Sequence, residues 1–85
     1  MSFPDPADID WNAAAIRKRS INLKGHSTSF SLEPAFFDAL QKIAGQRTMP
    51  LAQLVADIDT ARPENINLSS ALRLYVLACR KQAAQ

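Results

Sequence analysis

Four cations stand close together in this chain: Arg17, Lys18, Arg19 and Lys24, with no acid between residues 17 and 26. The stretch before them is their opposite, since residues 1–16 carry Asp5, Asp8 and Asp10 and no base. The formal net charge of +2 hides this division. A local block of cations attracts polyanions such as nucleic acid. Ser20, Asn22, Ser27, Ser29 and Ser31 recur at alternate positions around it. Hydroxyls donate or accept at base edges, and asparagine can hold adenine through two hydrogen bonds. The chemistry in view is recognition of a phosphate polymer. A merely solvated basic loop stands beside that reading on charge alone, and a merely solvated sheet face stands beside it for the serines.

The other reactive side chains lead elsewhere. His26, next to Gly25, is read as a solvent-facing turn histidine, with phosphate contact as its sharper role. Cys79 is the only cysteine and falls on an apolar helix face, where a thiol packs as a small buried hydrophobe. Asp57 and Asp59 are two apart, so they do not share a helix face and make a poor catalytic pair. Tyr75 is expected in the core with its hydroxyl at the edge. No nucleophile–base pair, glycine-rich phosphate loop or metal-ligand cluster can be assembled, so neither an enzyme, a metal nor a cofactor is expected.

Eighty-five residues make one domain and one modest core. A lone cysteine excludes an internal disulfide, and one Cys with one His argues against zinc. Yet 47% of the residues are hydrophobic, too many for a disordered chain. A small, apolar chain without staples points to an obligate dimer. No run approaches the roughly 20 apolar residues of a membrane span, and Met-Ser-Phe-Pro-Asp-Pro does not read as a secretory signal. The expected setting is the cytoplasm.

The elements that position the polar residues follow from periodicity. Residues 1–16 form an acidic leader with at most a helical turn near residues 9–16, and Trp11 should dock it against the domain, over the ribbon or a dimer seam. There its aspartates would compete with DNA for the basic block. From Arg17 the pattern alternates around Lys24-Gly25, which predicts a hairpin with Leu23 facing His26, Ile21 facing Thr28 and Arg19 facing Phe30. One face then holds Ile21, Leu23, Phe30 and Leu32, and the other Lys18, Ser20, Asn22, Ser27, Ser29 and Ser31. Pro34 opens a first helix through Phe36, Phe37, Leu40, Ile43 and Ala44, with Gly45 as its stop. Thr48-Met49-Pro50 opens a second, with Pro50 in its first turn, ending before Pro63. A loop over 62–67 leads to a third helix capped at or near Asn67, with Leu68, Ala71, Leu72, Tyr75, Val76 and Cys79 on one side. Leu74, Leu77 and Ala78 widen its apolar surface, so it should bury a second face in a subunit interface.

Thr28-Ser29-Phe30-Ser31-Leu32-Glu33-Pro34 leading into Phe36-Phe37-Asp38-Ala39-Leu40 resembles the strand-to-helix junction of ribbon-helix-helix proteins of the Arc and MetJ type. Lys18-Arg19-Ser20, Gly25-His26, Leu51-Ala52-Gln53-Leu54-Val55-Ala56-Asp57-Ile58-Asp59 and Asn67-Leu68-Ser69-Ser70-Ala71-Leu72-Arg73 extend the likeness to a subgroup of small bacterial ribbon-helix-helix domain proteins. The resemblance implies a mainly α fold with a short β-ribbon over residues 17–85, an intertwined homodimer, here with an extra N-terminal hairpin strand and a C-terminal helix. It further implies that the ribbon enters the major groove of double-stranded DNA. Lys18, Ser20, Asn22, Ser27, Ser29 and Ser31 would then face the bases. Arg17, Arg19, Lys24 and His26 would meet phosphates, as would Thr48 at the opening of the second helix, where free amides bind anions. The expected function is transcriptional regulation. The alternative, favoured by short serines where long basic or amide side chains commonly read bases, is a dimeric module for a protein partner or small effector ligand.

Overall fold

Alternation along residues 17–32 produces one antiparallel hairpin, β1 (Arg17–Leu23) and β2 (His26–Leu32). The structure is a computed structural model and describes residues 3–83, so the outermost two residues of the expected leader and of the expected domain lie outside it. Lys24 and Gly25 both adopt positive φ, 52° and 82°. That conformation matches the twist of the strands and fixes the register at the loop. Leu23 pairs with His26, Ile21 with Thr28 and Arg19 with Phe30, as the pattern predicts. Phe30 and Leu32 are buried beneath the hairpin, while Ser27, Ser29 and Ser31 are exposed.

Helix α1 (Pro34–Gln46) begins with Pro34 in its first turn, where the absent N–H is no loss. It does not stop at Gly45. The Met49 amide donates to the Ala44 carbonyl (3.0 Å) and the Thr48 amide to the Gly45 carbonyl (3.1 Å). Those two bonds form a Schellman closure, and Thr48, at φ 56°, takes the left-handed position that glycine usually fills. Gly45 is an ordinary helical residue.

Helix α2 (Leu51–Ala61) buries Leu54, Val55 and Ile58. Pro50 is its N-cap rather than part of its first turn, with extended backbone. The helix ends as Arg62 extends before Pro63. Arg62 Nε donates to Asp59 at 2.7 Å and its guanidinium also reaches the Ile66 carbonyl, which ties the loop back.

Asn67 caps α3 (Leu68–Ala83) by accepting from the Ser70 amide at 2.8 Å. Leu68, Leu72 and Val76 enter the core with Leu40, Leu54 and Val55. Cys79 is half-buried, less deeply set than a core hydrophobe. Leu74 and Leu77 stay 66% and 51% exposed, so the second apolar face of α3 is uncovered among the described residues. Helix α2 packs under β1, α3 under β2, and α1 joins both helices.

The leader forms two single 3₁₀ turns, Pro6–Asp8 and Trp11–Ala14, capped by the Asp5 and Asp10 carboxylates. Its second turn packs against α1, but Trp11 is 67% exposed. Trp11 therefore does not dock over the ribbon of its own chain. The half-buried Ala13 lies on the leader's inner side. Residues 3–16 of the leader leave the serine face exposed.

Candidate nucleic-acid interface

The hairpin lifts one polar surface clear of the core. Lys18, Ser20, Asn22, Ser27, Ser29 and Ser31 are all exposed on the face opposite Phe30 and Leu32. Alternation does this, because the side chains of a strand point to opposite faces in turn. Directly opposed residues share a face, and the Ser20 and Ser29 hydroxyls come within 3.2 Å of each other. Asn22 stands opposite Ser27, and Lys18 opposite Ser31. The result is a flat surface of hydroxyls with one amide and one ammonium. Such groups both donate and accept.

The other cations do not gather on that face. Arg17 and Arg19 share the parity of Ile21 and Leu23, so they point with the inner side. Arg17 is exposed at the open end of the hairpin. Arg19 is half-buried, its guanidinium carbon 4.1 Å from the centre of the Phe37 ring. Its Nε is shielded from solvent without a hydrogen-bond partner among the described residues. A guanidinium held over an aromatic ring packs the edge of the core as well as carrying charge. Lys24 lies in the turn and His26 just after it, both exposed. Thr48 is exposed in the α1–α2 connection, on another element from the hairpin. At the start of α2 the Gln53 and Leu54 amides already bond the Pro50 carbonyl, which leaves Leu51 and Ala52 as the open amides.

Three contacts around the ribbon have no local signature in the sequence. Glu33, an acid just beyond the ribbon, is held by Arg73, whose Nε donates to it at 2.9 Å. That hydrogen bond keeps the Glu33 carboxyl below its usual range. Its charge is thereby balanced within the fold. The Ser69 hydroxyl donates to the Ser31 carbonyl, binding the first turn of α3 to the edge of β2. Arg47 donates to the Tyr75 hydroxyl at 2.6 Å, so Tyr75 does keep its polar end at the rim. Residues 38 and 40 apart meet in two of these pairs, a spacing no local pattern encodes.

Two apolar clefts flank α3. One, of about 530 Å³, lies between α1 and α3 and is lined by Phe36, Ala39, Val76 and Leu77. The other, of about 540 Å³, lies between α2 and α3 beside Ile58, Ile66, Ala71 and Tyr75. Leu74 lines both and forms the ridge between them. No group of His, Cys, Asp and Glu suited to a metal ion occurs among the described residues. No helix among them is long and apolar enough to cross a membrane.

Comparison with protein families matches residues 16–79 to a model described as a ribbon-helix-helix domain. No curated protein and no solved structure matches the chain.

Proposed function

The chain belongs to the ribbon-helix-helix family, and from that premise we propose that it binds double-stranded DNA as a homodimer and regulates transcription. Domains of this family generally bind DNA as dimers and are typically not enzymes. The observation that carries the reading for this chain is the exposed hairpin face of Lys18, Ser20, Asn22, Ser27, Ser29 and Ser31, free of core duties. Serine hydroxyls and the Asn22 amide serve base edges. Arg17, Lys24 and His26 at the two ends of the hairpin serve phosphates, and the Leu51 and Ala52 amides near Thr48 offer a further anion contact. Arg19 acts mainly through its packing on Phe37. In this account residues 17–85 are the working unit and the acidic leader over 1–16 is an accessory arm.

The surface of the chain supports the dimer. It measures 6353 Å², against roughly 5,000 Å² for a compact monomer of this mass. The radius of gyration is 13.8 Å, where about 12 Å is usual for this length. Part of that excess belongs to the leader, exposed over residues 3–16 at all but Ala13, and part to the uncovered apolar ridge of Leu74 and Leu77 on α3, which is the surface a second copy would cover.

A gel-shift against random duplex at low and moderate salt tests the function. Binding at low salt that weakens as salt rises is the expected result. Arg17 and Lys24 at the ends of the hairpin and Lys18 on its face, each present twice in a homodimer, set the size of that slope. No shift at low salt would remove the DNA reading and leave a dimeric module for a protein or small ligand in its place.

A further inference from the structure

Two apolar stripes face each other across the α2–α3 cleft. Leu54, Ile58 and Ala61 recur at helical spacing on α2, and Ala71, Leu74 and Ala78 do so on α3. Alanine at three of these six positions leaves the facing helices short of side chain, and the space between them measures about 540 Å³. Small-molecule sites run from roughly 300 to 1,000 Å³ and are mostly apolar, with a few placed polar groups. The surface is open, with Ile66 and Leu74 on it 37% and 66% exposed. Its rim is fixed, because the Arg62 guanidinium joins Asp59 to the Ile66 carbonyl across the 62–67 loop.

The polar groups on the lining are unequally committed. Arg62 is neutralised by Asp59, with Nε 2.7 Å from the carboxylate. The Asp57 carboxylate accepts from the Gln53 amide at 2.7 Å. Arg47 has no acidic partner among the described residues, and its guanidinium donates to a neutral group, the Tyr75 hydroxyl. As the acceptor in that bond, the hydroxyl keeps its own proton to donate. Arg47 and Tyr75 thus place one uncompensated positive charge and a second donor together on an aliphatic cleft.

We propose that the α2–α3 cleft binds a small monocarboxylate with an aliphatic chain. The carboxylate sits on Arg47 and Tyr75, and the chain lies between the two stripes. A guanidinium fork suits a planar carboxylate. One free cation balances one negative charge. The Asp57 carboxylate on the same lining disfavours a doubly charged head such as a phosphate monoester. Tyr75 is the one aromatic ring on the lining, so a saturated chain fits it better than a stacked base does. The site does not depend on what the hairpin binds.

Decanoate, kept below its micelle concentration, and uncharged decanol test the site on the full chain, with amide shifts followed by NMR as each is added. Decanoate should move Ile58, Ile66, Ala71 and Leu74 and leave Ser27, Ser29 and Ser31 in place. Decanol should move the same cleft amides but bind about tenfold more weakly, the factor of a charge-assisted hydrogen bond. Arg47→Gln should bring decanoate down to the affinity of decanol and leave decanol unchanged, a split that a merely structural Arg47 would not give. Ala61→Leu, at an exposed position, should narrow the cleft and weaken both probes. Equal affinity for the two probes, or unchanged decanoate binding by Arg47→Gln, overturns the carboxylate assignment. Unchanged binding by Ala61→Leu takes the chain out of the cleft and overturns the site. Shifts centred on Arg17, Lys18 and Lys24 would put the anion on the basic hairpin and overturn it as well. Cleft amides that move on dilution of the protein alone, and not with decanoate, would mean that a second copy fills the cleft, which also contradicts the proposal.

Discussion

The inner and outer sides of the hairpin are built from the same two strands and differ in what their residues answer to. On the inner side Phe30 and Leu32 are 5% and 0% exposed and touch a core drawn from all three helices. On the outer side Ser27, Ser29 and Ser31 meet solvent, and the Ser20 and Ser29 hydroxyls touch only each other among the described side chains. Apolar burial stabilises the first set strongly, while exposed hydroxyls contribute little to folding. The inner side is constrained by the fold and the outer side is available for a partner. Substitutions should therefore separate cleanly by side.

Leu32→Ala should be the most damaging change, costing about 2–5 kcal/mol through lost burial and a cavity. Denaturant unfolding measures it, and a cost near that of a surface substitution would mean the inner side is not the core. The turn that sets the two sides in register comes next. Gly25→Ala should cost about 1–2 kcal/mol, because alanine resists the positive φ of 82° there. Gly45→Ala should do the reverse and stabilise by about 0.5–1 kcal/mol, since the residue is helical with open space around it. Thermal melts of the two variants, shifted in opposite directions, would sharpen the contrast between a glycine that is needed and one that is not.

A smaller effect belongs to the ion pair at the end of the ribbon. Arg73 lowers the Glu33 pKa in the folded chain. A depressed carboxyl stabilises the fold above its unfolded pKa, near 4.3, and that contribution fades as pH falls through the folded value. Glu33→Gln should cost at most about 1 kcal/mol at neutral pH, since both partners are partly exposed. The difference from the unsubstituted chain should vanish in acid, and a gap that persists there would assign the effect to packing. Ser29→Ala, on the outer side, should shift stability by less than about 0.5 kcal/mol while changing DNA selectivity. A large loss of stability would erase the distinction between the sides.

The parts of this fold that depend on neighbours in sequence could be read from it. The hairpin register follows from Lys24-Gly25 and the alternation beside it, and Pro34, Pro63 and Asn67 mark helix ends through purely local geometry. The end of α1 could not, because Gly45 has the residue type of a stop while the chain reverses at Thr48, where Met49 packs on the core. The serine face was legible as a face, since period two needs no tertiary knowledge. Its cations were not, because charge counted along the chain cannot tell that Arg19 turns inward to Phe37. Trp11 departs from the expectation only as far as one chain goes. Its size called for burial, and its own chain leaves it in solvent.

Backbone amide shifts followed by NMR as duplex DNA is added to the full chain test the central claim most directly. Perturbations concentrated on Lys18, Ser20, Asn22, Ser27, Ser29 and Ser31, with the α2–α3 cleft unmoved, are the result predicted for a DNA-binding hairpin face. Shifts confined to that cleft, or none at low salt, would contradict it.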